Sequence, residues 1–187
     1  MSGIVGAGRT SVNIPNLVTT GRILLVPIVV WAIMSGQMLI AFWLFVIAAA
    51  SDAVDGFLAK RLGATSEFGA YLDPLADKAM LVSIYVTLGI AELLPRWVVI
   101  AVVSRDIMIV GAVVVAWLVE KPLTIRPFLI SKLNTLAQIL LAGLVLAANG
   151  FRFDAGIALT VALVAVGVLT GISAAAYLVA WTRHMAS

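Results

Sequence analysis

Apolar stretches about twenty residues long recur along this chain, each closed by glycine, proline or a charge cluster, and no other feature constrains its fold as strongly. A run of about 20 apolar residues in a helix matches the roughly 30 Å hydrocarbon core of a bilayer. Six such stretches are read: Val18 to Met34, Met38 to Ala59, Leu72 to Ala91, Pro95 to Leu118, Ser131 to Ala148 and Gly156 to Ala180. Of the 187 residues 63% are hydrophobic and 11% charged, against about 45–50% and 25% in soluble domains. A water-soluble enzyme with a polar shell is excluded. The expected fold is an all-α integral membrane bundle of six transmembrane helices, a single domain over residues 1–187. Residues 1–16 form an interfacial segment, and Pro15 opens the first helix. That segment has no basic region directly ahead of a short apolar core, so no cleavable signal peptide is read.

Charge sets the orientation. Six crossings put both termini on one side, together with Arg9, Arg22, Lys60, Arg61, Lys121, Arg126, Lys132 and Arg183, whereas the other side carries only Arg96 and Arg152. The positive-inside bias places both termini in the cytoplasm. Trp31, Trp43, Trp97, Trp117 and Trp181 lie near span ends and read as interfacial anchors. The net charge of +3 is too mild to indicate nucleic acid but suits an anionic leaflet. With no cysteine and His184 alone, thiolate chemistry and His- or Cys-based metal sites are excluded.

Chemistry concentrates at the ends of the second and third stretches. Asp52 and Asp55 share one helix face at i, i+3, and Asp73 and Asp77 share another at i, i+4. The link between these stretches is short, so they are expected to form an antiparallel hairpin in which the carboxylate pairs converge. Carboxylates 4 Å apart repel by roughly 4 kcal/mol at an effective dielectric near 20, so all four stay ionised only with cations between them. The all-oxygen donor set suits two hard divalent ions, Mg²⁺ or Mn²⁺. Gly56, Ala59 and Gly69 are small residues beside the acids and leave a trough for a phosphate-bearing ligand. Two cations bridging phosphate oxygens is an arrangement that phosphoryl transfer uses. The plainer alternative is that the acids form helix–helix ion pairs with Lys78, Lys60 or Arg61.

These residues resemble the signature of the CDP-alcohol phosphotransferases, D-x2-D-G-x2-A-R-x8-G-x3-D-x3-D. Here it reads Asp52, Asp55, Gly56, Ala59, Gly69, Asp73 and Asp77, with Lys60 where the family usually has arginine. Lysine keeps the charge but loses the planar fork. The resemblance implies six transmembrane helices, usually in a homodimer, and displacement of CMP from a CDP-linked donor by an alcohol; the charge bias puts that active site at the cytoplasmic face of the inner membrane. It makes Asp52, Asp55 and Asp73 metal ligands, and makes Asp77 both a fourth ligand and the base that takes the proton of the attacking hydroxyl. It also puts Gly56, Ala59, Lys60, Gly69, Asn16 and Thr19 around the donor nucleotide.

The segment Asn13-Ile14-Pro15-Asn16-Leu17-Val18-Thr19 followed by Arg22 resembles phosphatidylglycerophosphate synthases and eukaryotic-type cardiolipin synthases, as does Leu72-Asp73-Pro74-Leu75-Ala76-Asp77-Lys78. Ser104-Arg105-Asp106 and Ile130-Ser131-Lys132-Leu133-Asn134-Thr135 look more like the second group. The first group tends to carry two lysines in the latter segment. Fewer cations suit a phosphodiester held by its acyl chains rather than a terminal phosphate. The expected donor is therefore CDP-diacylglycerol and the first acceptor phosphatidylglycerol, with glycerol 3-phosphate the alternative. Arg105 and Lys132 are the candidates for the acceptor phosphate; pairing of Arg105 with Asp106 or another helix, and a headgroup anchor for Lys132, are the plainer readings. A small cation transporter would continue its polar path toward the far side, where these stretches hold almost no ionisable residue beyond Arg105 and Asp106. A scaffold leaves the four acids unexplained.

Overall fold

The computed structural model describes the backbone of residues 14–62, 67–118 and 129–186, and the side chains of residues 21, 23–51, 78–112 and 129–182. The described residues form six α-helices and no strand: α1 (Ile14–Met34), α2 (Met38–Leu62), α3 (Glu67–Ile90), α4 (Arg96–Leu118), α5 (Leu129–Phe151) and α6 (Gly156–Ala186). Each coincides with one of the apolar stretches, and most are longer. Hydropathy marks where apolar side chains stop, whereas a helix continues while its backbone bonds are satisfied: α2 runs on through Lys60 and Arg61, and α3 starts at Glu67.

The chain reverses between α1 and α2, α3 and α4, and α5 and α6 through turns that cap the preceding helix. Gly36, at φ 71°, donates to the Ile33 carbonyl at 3.0 Å while Gln37 donates to Ala32 at 2.9 Å. This is the paired closure of a Schellman motif, which needs a left-handed residue after the helix. Glu92 and Arg152 take the same left-handed position at φ 58°, with Leu93 donating to Leu88 and Phe153 to Ala148. Asp154 Oδ1 then accepts from the Gly156 N–H at 2.8 Å and opens α6.

These three turns gather at one end of the bundle. Phe151 meets Phe42 edge-on at 5.4 Å, Gly150 lies against the backbone of Leu39, and Leu159 and Leu163 share a groove with Leu93 and Pro95.

Packing joins the helices into a closed ring in the order α1, α2, α5, α6, α4, α3 and back to α1, with α3 also touching α5 across the middle. Val29 and Ile33 of α1, Phe45 of α2, Tyr85 and Leu88 of α3, Val102 of α4, Leu141 of α5 and Val166 of α6 share one core. The outside is as apolar as the inside: Leu24, Trp31, Ile100, Ile107, Leu140 and Ile157 are all exposed. An apolar exterior of this extent is what a bilayer covers, and water does not tolerate it. Among the described residues, Leu129–Phe151 and Gly156–Thr182 are long and apolar enough to cross a membrane.

Among the described residues α2 and α3 share no packing contact, and α1 touches both; the hairpin contact expected between residues 52–60 and 69–77 falls on side chains outside the described residues. Only residues 63–66 separate Leu62 from Glu67, so the joined ends lie within about 18 Å of each other, the reach of five extended peptide units. Packed helices sit about 8–10 Å apart, so a short link leaves room for an intervening helix.

Candidate active site

The signature residues fall on two helices at the end of the bundle away from the three turns. Asp52, Asp55, Gly56, Ala59 and Lys60 lie in the second half of α2, and Gly69, Asp73 and Asp77 in the first half of α3. The helical backbone is continuous through both segments. The i, i+3 and i, i+4 relations therefore hold, and each acid pair sits one turn apart on its helix. The side chains of all these residues, and of Asn16 and Thr19, lie outside the described residues. Among the described residues no group of three or more His, Cys, Asp or Glu is placed to hold a metal; the four expected ligands are not among them. Their carboxylate oxygens are the donor type that hard divalent ions take.

Directly after Asp77 the side chains are described, and they form a buried ionic network. Lys78 Nζ donates to Asp106 Oδ1 at 2.6 Å, and Arg105 Nη1 donates to the same oxygen at 2.6 Å. Arg105 Nε reaches Ser173 Oγ at 3.2 Å, and Nη2 reaches Ser173 Oγ at 2.8 Å and Ser131 Oγ at 2.6 Å. The guanidinium carbon also lies 5.7 Å from the centre of the Tyr177 ring, in cation–π range. Arg105 and Asp106 are 2% and 3% exposed, and the Lys78 side chain 28%. One carboxylate thus ties α3 to α4, and through Arg105 to α5 and α6. Asp106 Oδ2 has no partner among the described residues.

Burying charges is favourable only where geometry and extra hydrogen bonds offset desolvation. Here the arginine fork provides them: all but one of its N–H groups are used. Arg105 thus makes the internal pairing that was its plainer reading. Lys132, one residue after Ser131 near the start of α5, is exposed. A second buried bond, Thr170 Oγ1 to Asn134 Oδ1 at 3.0 Å, joins α6 to α5, and Tyr85 Oη donates to the Gln138 carbonyl at 3.0 Å.

Sequence reasoning missed the pairing of Lys78 with Asp106, having set that lysine beside the signature acids. It also missed Ser173 and Thr170 as partners of Arg105 and Asn134. Apolar residues surround α6 on every side, so no periodic signal marks its inner face.

Known proteins bear on the same residues. A cardiolipin synthase (CMP-forming) of Rattus norvegicus is 32% identical over 181 residues, covering 88% of this chain and 60% of its own length. A CDP-diacylglycerol–glycerol-3-phosphate 3-phosphatidyltransferase 1, chloroplastic, of Oryza sativa subsp. japonica is 35% identical over 155 residues, or 74% of this chain and 47% of its own. A probable phosphatidylglycerophosphate synthase of Mycobacterium tuberculosis is 31% identical over 174 residues, covering 89% and 82%. The chain therefore spans about half the length of the plant and animal relatives, 47% and 60%, and most of the bacterial one. Residues 12–181, which take in the whole signature and the Arg105 network, match the family profile, and the chain belongs to the CDP-alcohol phosphatidyltransferase family.

Proposed function

We propose that the chain transfers a phosphatidyl group from CDP-diacylglycerol to the hydroxyl of phosphatidylglycerol, releasing CMP and forming cardiolipin. The observation that carries this reading is the spacing of Asp52, Asp55, Asp73 and Asp77 on two continuous helices inside the matched region. The four carboxylates would hold two divalent cations, Mg²⁺ or Mn²⁺, whose charge offsets that of the donor pyrophosphate. Asp77 accepts the proton of the attacking hydroxyl as the new bond to phosphorus forms and the bond to CMP breaks. Gly56, Ala59 and Gly69 leave space for the nucleotide, with Lys60, Asn16 and Thr19 beside it. Six membrane crossings, a site at the cytoplasmic face of the inner membrane, a single domain over 1–187 and a homodimer belong to the same proposal.

The relatives are named for both acceptors at 31–35% identity, so similarity does not choose between them. The residues favour the lipid. At position 134, where the glycerol 3-phosphate enzymes tend to carry a lysine, stands a fully buried asparagine bonded to Thr170. That leaves Lys132 and Arg105 as the cations for the acceptor, enough for a phosphodiester of charge −1 and few for a terminal phosphate. Arg105 would reach an anion with its one remaining N–H, keeping its serines. Glycerol 3-phosphate is the second reading, supported by the Mycobacterium and Oryza relatives.

The test is CMP release from CDP-diacylglycerol by the purified full chain in mixed micelles, with phosphatidylglycerol or glycerol 3-phosphate, with and without EDTA. Release that needs phosphatidylglycerol and is abolished by EDTA is expected. Turnover with glycerol 3-phosphate alone overturns the acceptor, and no release with either overturns the reaction.

A further inference from the structure

We propose that Asp106 is a positioning residue that sets the rotation of α3, and with it Asp73 and Asp77, by holding Lys78. The inference rests on the reading above that those two acids work on the donor. Lys78 is the residue after Asp77, on the same rigid helix, and the far end of its side chain is fixed at 2.6 Å on a carboxylate that is itself almost wholly buried. That carboxylate is immobile because Arg105 binds the same oxygen, and the two serines on α5 and α6 hold Arg105 in turn. The chain of contacts therefore refers the angle of α3 to α4, α5 and α6. Among the described residues no comparable tie joins α3 to α2.

Rotation is the coordinate at stake. A turn of about 10° about a helix axis moves a side-chain end roughly 6 Å from that axis by about 1 Å. A misplacement of that size can cost about 10²-fold in rate. Core packing and the Tyr85 bond to the Gln138 carbonyl hold α3 further along, about two turns beyond Asp77, whereas the ion pair to a fixed oxygen resists the rotation one residue from that acid. Replacing Asp106 by asparagine leaves two neighbouring cations without a counterion. Arg105 keeps its serines, so the half-buried Lys78 is the one released, and α3 is the helix freed.

The experiment measures CMP release by Asp106→Asn, Lys78→Gln, the double variant and Lys78→Arg, in the full chain, with MgCl₂ and CDP-diacylglycerol varied in turn and unfolding temperature recorded for each. Both neutralising variants should lower kcat about 10–100-fold and raise the half-saturating Mg²⁺ concentration at least fivefold. The KM for CDP-diacylglycerol should stay within about threefold. The double variant should lose no more than the worse single, because both substitutions break one tie. Lys78→Arg should keep kcat within about threefold. Should Asp106→Asn fail to fold, Lys78→Gln, cut at the open end of the pair, carries the same test. Folded variants with wild-type kcat and Mg²⁺ dependence, or losses that multiply in the double variant, overturn the proposal. Wild-type release of CMP is measured alongside; its absence sinks the parent reading, while its presence with unaffected variants sinks only this one.

Discussion

Gly150 sits one residue before the end of α5, where that helix meets the first residues of α2. A Cβ added there would lie 3.0 Å from both Cα and N of Leu39 and 3.2 Å from the Met38 carbonyl carbon. Carbon atoms pack best at about 3.5–4.0 Å, so α5 and α2 would have to part by roughly half an ångström. All three atoms are backbone, and no rotamer change relieves the contact. Overpacking of this kind costs about 2 kcal/mol, and alanine in place of helical glycine returns about 1 kcal/mol. Gly150→Ala should therefore destabilise by about 1 kcal/mol. Gly171 on α6 supplies the control, because a Cβ there meets nothing within 4 Å; Gly171→Ala keeps the propensity gain alone and should stabilise by about 1 kcal/mol. At about 2–4 °C per kcal/mol for a chain of this size, thermal unfolding in detergent should separate the two variants by about 4–8 °C. A Gly150→Ala protein that melts with or above Gly171→Ala refutes the close approach of α5 to α2.

Further outcomes follow from the site and the core. Asp55→Asn should abolish CMP release and blunt its response to added Mg²⁺; unchanged metal dependence would remove Asp55 from the ligand set. Asp77→Asn should lower turnover by about 10²–10⁴-fold, the range of a lost general base, while retaining CDP-diacylglycerol binding in a filter or calorimetric assay; lost binding would count against its role as base. Tyr85→Phe deletes the buried bond from α3 to the Gln138 carbonyl on α5. Bonds of this kind inside membranes average about 0.6 kcal/mol and reach about 1.7, so a fall of about 1–7 °C in unfolding temperature is expected, and none would show the hydroxyl idle.

The helices were legible because their ends are written in local chemistry. Gly36, the Glu92 to Pro95 segment and Arg152 to Gly156 interrupt otherwise unbroken apolar runs, and the structure turns at each of them. The order of the ring was not legible. Which helix stands beside α2 depends on the match of two buried faces, and a face cannot be read from a helix that is apolar all round. The acids could be picked out because a carboxylate in an apolar run is costly and so informative. Arg105 and Asp106 were conspicuous for the same reason, but identifying their partners took the tertiary arrangement: Lys78 lies 28 residues away in sequence, and Ser173 lies 68.

The three capped turns also decide where the molecule can breathe. Each staples a pair of helices together at one end, so where nothing ties the partners further along, a change of tilt between them is smallest there and grows along their length. Over a helix of about 30 Å, a tilt of about 5° opens the free end by nearly 3 Å. The signature acids stand toward that free end. The Lys78–Asp106–Arg105 network already clasps α3, α4, α5 and α6 close to those acids, so like tongs riveted at the base the α1–α2 pair, outside that clasp, is where the bundle can widen.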